Sequence, residues 1–90
     1  MENEILPSAR YPNLQTVLMV EKFIKENSML YTKRQIFENL PKKMIWGTFK
    51  VILDYLEETG RILIDKEGII CYVWSPDILE KIKEMREFKP

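Results

Sequence analysis

The chain carries few of the residue types on which enzyme active sites depend. Its 90 residues include no histidine and a single cysteine, Cys71. A Ser–His or Cys–His nucleophile pair therefore cannot form, and one sulfur falls short of the ligand set of a structural zinc site. The three glycines do not form a phosphate-binding loop. The sequence thus predicts a protein that is not an enzyme and that uses neither a cofactor nor a metal.

The distribution of charge is the chemistry that the chain does offer. Fourteen basic and fourteen acidic residues give a net charge of zero, which disfavours indiscriminate binding to nucleic acid. The segment Thr32–Lys50, however, holds five basic residues against one acidic residue, a net +4, and the next ten residues hold three acidic residues and no basic one. A local basic patch of this kind attracts a phosphate backbone.

The spacing of apolar residues predicts three helices, at residues 13–27, 33–40 and 46–59. Thr32 opens the second helix in a capping box, and Pro41 ends it. The third helix has the clearest apolar stripe, at i, i+3, i+4 and i+7. The apolar face of the first helix is predicted to comprise Leu14, Val17, Leu18, Val20 and Ile24.

After Gly60, a left-handed cap for the third helix, the apolar period changes. Residues 61–64 and 69–74 are rich in β-branched and aromatic side chains, and a four-residue turn with Gly68 separates them, so we expect a β-hairpin. Ser75 and Pro76 then open a last amphipathic helix. The predicted organisation is an N-terminal arm over residues 1–12, one α+β domain over residues 13–74, and a C-terminal helix over residues 75–90.

The segments Tyr31–Leu40, Trp46–Gly60 and Arg61–Gly68 resemble the winged helix-turn-helix regulators common in archaea and bacteria. The resemblance covers about Leu14 to Trp74. It implies a winged helix-turn-helix fold: a three-helix core, a β-hairpin wing and an extra C-terminal helix. It further implies a cytoplasmic transcriptional regulator that binds double-stranded DNA, with helix 46–59 in the major groove and backbone contacts from helix 33–40 and the wing.

The resemblance also assigns roles to individual residues. The positions that would face the groove are Gly47, Thr48, Lys50, Val51 and Asp54. The phosphate contacts would be Lys33, Arg34, Lys42 and Lys43, with Lys66 at the tip of the wing. Thr32 and Trp46, at the starts of the two helices, complete the predicted interface.

Several of these residues have a second interpretation. The lysines are also compatible with an ordinary solvated face. Val51 lies opposite the apolar stripe of its helix, where it would contact either a thymine methyl group or a protein. Trp46 is interpreted as a partly buried lid on the turn rather than as a wedge between bases. Neutral charge, Val51 and Trp46 favour an alternative function, a winged-helix module that docks on proteins in a larger complex.

Location and assembly are predicted from Cys71, the N-terminus and the last helix. A single cysteine fits a reducing cytoplasm, no apolar run is long enough for a membrane span, and the acidic N-terminus does not resemble a signal peptide. The apolar stripe of the last helix would pair with its copy in a homodimer or pack on the first helix of its own chain, and the dimer is favoured. The residues involved are Ile78, Leu79, Ile82 and Met85, with Met19 and Phe23 on the first helix.

Overall fold

Four helices and a two-stranded antiparallel hairpin make up residues 12–85, the part of the chain that the computed structural model describes. In chain order they are α1 (Leu14–Glu26), α2 (Lys33–Asn39), α3 (Trp46–Glu58), β1 (Ile62–Ile64), β2 (Ile70–Tyr72) and α4 (Pro76–Met85). This is a small α+β fold with the hairpin after three helices, as the sequence predicts. The predicted arm up to Tyr11, and residues 86–90 of the predicted last helix, lie outside the described residues. No helix between residues 12 and 85 has both the length and the apolarity that crossing a bilayer requires.

The helices begin and end at the residues that local chemistry favours. The side chain of Asn13 accepts a hydrogen bond from the Thr16 amide at 2.8 Å, and Thr32 forms a complete capping box with Gln35. Both caps confirm the sequence prediction. Gly60 follows α3 with φ +78°, the left-handed conformation that glycine adopts without strain.

The core lies where α1, α2 and α3 meet the inner face of the hairpin. The predicted stripe of α3 is confirmed, because each of its four residues is at most 1% exposed: Phe49, Ile52, Leu53 and Leu56. Val20 and Ile24 of α1 and Ile36 of α2 are fully buried against them. Complete burial of one such side chain stabilises the fold by about 1.5–3 kcal/mol, so these contacts fix how α3 is held.

The hairpin register places three core side chains and the half-buried Ile64 on one face. Ile62 lies opposite Tyr72, and Ile64 lies opposite Ile70. The pair Leu63 and Cys71 points to the other face, yet Cys71 is fully buried as well. All three residues of strand β2 are therefore buried, on both of its faces.

A short extended segment before α2 runs along the free edge of β2. The Ile70 amide donates to the Tyr31 carbonyl at 3.0 Å, and the Met29 amide donates to the Ile70 carbonyl at 2.9 Å. Thr32 and Ile69 form an antiparallel bridge beside them. The outer edge of β2 is thus partly paired by this segment, a contact that was not predicted from the sequence.

Helix α4 packs within its own chain. Ile82 is only 4% exposed, and a cavity of about 180 Å³ lies between α4, the rings of Tyr72 and Trp74, and the turn at residues 28–29. Met19 and Phe23 pack on the central core instead. The homodimer stays a prediction, for which Ile78 and Leu79 offer half-buried surface and Met85 an exposed side chain.

Candidate functional site

Five cationic side chains surround the α2–turn–α3 region, and we call them the basic corner: Lys33, Arg34, Lys42, Lys43 and Lys50. The first two open α2, the next two lie in the turn, and the last is in the second turn of α3. Arg34, Lys42 and Lys43 are exposed, whereas Lys33 and Lys50 are half-buried. Within residues 12–85 none of the five forms an ion pair. Their charge is therefore not neutralised by carboxylates of the described chain.

Three aromatic rings fix the angle between α2 and α3. Trp46 stands edge-on to Phe37 with ring centroids 5.0 Å apart, and it lies 5.5 Å from the ring of Phe49. Trp46 remains 40% exposed, so its ring packs on two aromatic neighbours while part of it stays open to solvent. The guanidinium of Arg34 sits 5.7 Å from the centre of the Trp46 ring, so a cation–π contact holds one charge of the basic corner at the start of α3.

The start of α3 is open. Its N-cap, Ile45, makes no side-chain hydrogen bond to the first turn, and that turn has no acidic residue. The first amides of the helix and its dipole therefore present partial positive charge without a side-chain partner. Gly47 is exposed, and a Cβ added there would meet no atom within 4 Å. The fold itself thus leaves room beside the backbone at this position.

The charge on the outward face of α3 changes from basic to acidic along the helix. Gly47, Val51 and Asp54 are exposed, while Thr48 and Lys50 are half-buried at the flanks, as the helical wheel predicts. The basic residue of this face lies in the first half of the helix. The acidic residues lie in the second half, at positions 54, 57 and 58. Only the first half of α3 therefore has a charge that attracts phosphate.

A buried carboxylate organises the turn between β1 and β2. Asp65 is 6% exposed, and its Oδ1 accepts hydrogen bonds from the amides of Glu67 and Ile69, both at 2.9 Å. The Lys33 amide donates to the Gly68 carbonyl at 3.2 Å, which ties the turn to the start of α2. From the sequence Asp65 is only a turn residue, so this role was not predicted.

The turn also brings predicted site residues together. Lys33 and Lys66 line one open cavity of about 690 Å³, with Lys83 of α4 on its rim and Glu57 and Glu67 among the lining carboxylates. Lys66 is exposed at the tip. Lys42, Lys43, Lys50 and Asp54 do not line this cavity. The structure therefore places the predicted residues in two groups, one at the wing and one around the turn before α3.

An apolar groove between α1 and α3 was not predicted. Its walls include four side chains that are 38–71% exposed: Leu14, Leu18, Val51 and Tyr55. Pro12, Val17, Ile52 and Arg61 complete the lining, and the volume is about 400 Å³. We call it the α1–α3 groove. Leu14 and Leu18 belong to the predicted apolar face of the first helix, but this part of the face lines the groove instead of the core.

A hydrogen-bonded carboxylate links α1 to the hairpin. The Tyr72 hydroxyl donates to Oε2 of Glu21 at 2.7 Å, and Arg61 lies 3.7 Å from Oε1 of the same carboxylate. Burial raises the pKa of Tyr72 above its usual value of 10.0, and the hydrogen bond to Glu21 raises it further. The cluster of Glu21, Arg61 and Tyr72 holds the hairpin against α1, and it includes no residue of the basic corner.

Other chemistry finds little support in the described part of the chain. Between residues 12 and 85 no three Cys, Asp or Glu side chains come together as a metal-binding group would require. The basic corner, the open start of α3 and the α1–α3 groove remain as candidate contact surfaces within these residues. Comparison with protein-family models, with curated proteins and with solved structures finds no match to this chain.

Proposed function

We propose that the chain is a small cytoplasmic DNA-binding protein of the winged helix-turn-helix type, acting as a transcriptional regulator. The observation that carries the proposal is the basic corner: five cations without an ion-pair partner among residues 12–85, grouped around one helix–turn–helix. Neutralisation of phosphates by such side chains supplies most of the affinity of proteins for duplex DNA.

The local geometry gives the cations different tasks. Arg34 rests on the Trp46 ring, so it loses less side-chain freedom on contacting a phosphate than a free arginine does. Lys42 is exposed in the turn, whereas the ammonium of Lys43 donates to the Glu38 carbonyl at 3.3 Å, which holds that charge near the end of α2. Lys33 and Lys66, which line one cavity at the wing, would contact a phosphate on the other side of the groove that α3 enters.

Base contacts would come from the first half of α3 and from Asp54 at the start of its second half. Gly47 and Thr48 allow close approach, and the exposed Val51 suits the methyl group of a thymine. Lys50 can donate to a guanine, and Asp54 can accept from a cytosine amino group. Because the face offers one cationic donor, sequence discrimination is expected to be modest and affinity to come mainly from the backbone.

A second candidate function is docking of a protein, and one observation favours it. The α1–α3 groove exposes contiguous apolar side chains of two helices, and surfaces of that kind on small domains mark interaction sites. This function would use Val51 and Tyr55 and would leave the basic corner without a role.

Fluorescence anisotropy with labelled duplex DNA tests the DNA proposal. If all five cations contact phosphates, the logarithm of the affinity falls with the logarithm of salt with a slope of about −4.5, or roughly 500-fold between about 50 and 200 mM salt. The double variant Lys42→Ala/Lys50→Ala should weaken binding and reduce the slope by about 1.8. The matched double variant Lys22→Ala/Lys81→Ala removes the same charge from exposed positions of α1 and α4, and it should leave the slope nearly unchanged.

Two results would count against this function. One is the absence of binding by the unaltered chain even at low salt. The other is an equal reduction of the salt slope in both double variants. It would mean that any surface lysine contributes to binding and that the basic corner is not the site.

A further inference from the structure

The α1–α3 groove lacks a partner among the described residues. Leu14 is 71% exposed and Leu18 is 52% exposed, and Tyr55 and Val51 face them from α3 at 46% and 38%. Apart from the Arg61 guanidinium, whose partners are Glu21 and the Tyr55 ring, no charged side chain lines the groove. Its volume of about 400 Å³ lies in the range of sites that hold an apolar ligand.

The chain itself supplies a segment that begins at this groove. Pro12 is one of the lining residues, and residues 1–11 precede it directly. They include the pair Ile5 and Leu6, in a stretch from Ile5 to Ala9 that carries no charge. Six residues of extended chain span up to about 20 Å, whereas Leu14 and Leu18 are separated by about 6 Å along the helix axis. A chain of this length can therefore reach from Pro12 along the α1 wall of the groove to Leu18.

We propose that the α1–α3 groove is the binding site for the N-terminal segment of the same chain, with the side chains of Ile5 and Leu6 inserted between α1 and α3. The apolar character of the pair matches the apolar lining. Tethering favours this occupant over any free one, because a short linker gives an effective concentration in the millimolar range. A contact too weak to capture a separate peptide is then sufficient.

The inserted segment would cover Val51 and Tyr55 on the outward face of α3. If α3 also enters the major groove, the segment and the DNA bases compete for the same side chains, and this consequence rests on the proposed function. The docking of the segment does not rest on it. It is therefore tested on the full chain without DNA.

The test is methyl NMR of the full-length protein with isotope-labelled Leu, Ile and Val. We expect nuclear Overhauser effects between the Leu6 methyls and those of Leu18 and Val51. In Leu6→Asp these contacts should vanish and the methyl resonances of the groove should shift. Ser8→Asp adds the same charge to the same segment without removing an apolar side chain, and it should leave both unchanged. Thermal unfolding of the two variants checks that each remains folded.

A mixed sample of labelled and unlabelled chains identifies the occupant. Contacts found only within one chain support the proposal. Contacts between chains would show that a second copy fills the groove and would overturn it. Absence of any contact from residues 5 and 6 to the groove would overturn it as well, and this result would leave the DNA proposal standing.

Discussion

Removal of the Asp65 carboxylate is the perturbation whose effect follows most directly from the structure. The side chain is buried in the turn of the hairpin, and one oxygen accepts from two backbone amides, those of Glu67 and Ile69. Because the turn is joined to α2 through the Lys33 amide and the Gly68 carbonyl, its geometry also sets where the wing lies relative to the basic corner. We predict that Asp65→Ala destabilises the fold and loosens the wing.

The magnitude follows from the two hydrogen bonds. A hydrogen bond to a charged group contributes about 1.5–3 kcal/mol. The exposed residue Glu67 can replace its lost acceptor with water, whereas the half-buried Ile69 does so less readily. The expected loss is therefore about 2–3 kcal/mol, the value of one such bond rather than two. For a domain of this size that corresponds to a fall in Tm of roughly 10–20 °C.

Thermal unfolding and amide hydrogen exchange would measure the effect. Asp65→Asn is the matched control, since it keeps an acceptor oxygen and should lose only about 1 kcal/mol. In Asp65→Ala the Ile69 amide should exchange about 30-fold faster or more, the equivalent of 2 kcal/mol. A Tm of Asp65→Ala within a few degrees of the unaltered chain would refute the reasoning. So would equal losses in the Ala and Asn variants, because the negative charge would then matter instead of the accepting oxygen.

Three further outcomes are expected. Burial and Glu21 raise the pKa of Tyr72, so the unfolded chain loses this proton at a lower pH than the folded chain, and the free energy of unfolding should fall as the pH rises above 10.0. Carbon NMR of the tyrosine rings should show that the pKa of Tyr72 is raised less in Glu21→Gln. The same pKa in the variant and the unaltered chain would contradict the assignment. Trp46→Ala should cost about 2 kcal/mol by thermal unfolding, below the value for a fully buried tryptophan, because the ring is 40% exposed; a loss above about 4 kcal/mol would mean that the ring is part of the core. Leu6→Asp should tighten binding to duplex DNA in the anisotropy assay relative to Ser8→Asp, and weaker binding would show that the segment assists DNA instead of competing with it.

The helices could be predicted because their signals are local. Capping by Asn13 and Thr32 depends on residues three positions away, and Pro41 stops α2 whatever surrounds it. The apolar stripe of α3 is regular over more than two turns, and every member is buried. Each of these features lies within a few residues in the sequence, so periodicity and cap chemistry suffice to find it.

The features that were missed depend on non-local neighbours. Leu14 and Leu18 share a helical face with Val17, but periodicity does not tell how far the covering element extends, and they remain exposed beyond it. The edge pairing of Tyr31 with Ile70 joins residues far apart in sequence and is too short to give an alternating pattern. The Asp65 carboxylate resembles an ordinary solvated turn residue until its two amide donors are known.

The sequence predicted which charged residues belong to the candidate site, but it did not predict the contacts that those residues make. The five cations are visible in the sequence as a net +4 segment. What the sequence does not give is the contact of Arg34 with the Trp46 ring or the approach of Lys33 to the wing. Both depend on the packing of α2 against α3 and the hairpin, which joins residues that are far apart in the sequence.

The proposed DNA binding and the proposed docking of the N-terminal segment both involve α3. A helix with Lys50 in its first half and carboxylates at positions 54, 57 and 58 can approach phosphates only with its N-terminal half leading, because the other half is repelled. That orientation brings Val51 to the bases, and Val51 also lines the α1–α3 groove. The basic corner does not line it. A docked N-terminal segment would thus block the contacts that read bases while leaving the backbone contacts accessible, so it would control sequence discrimination more strongly than affinity.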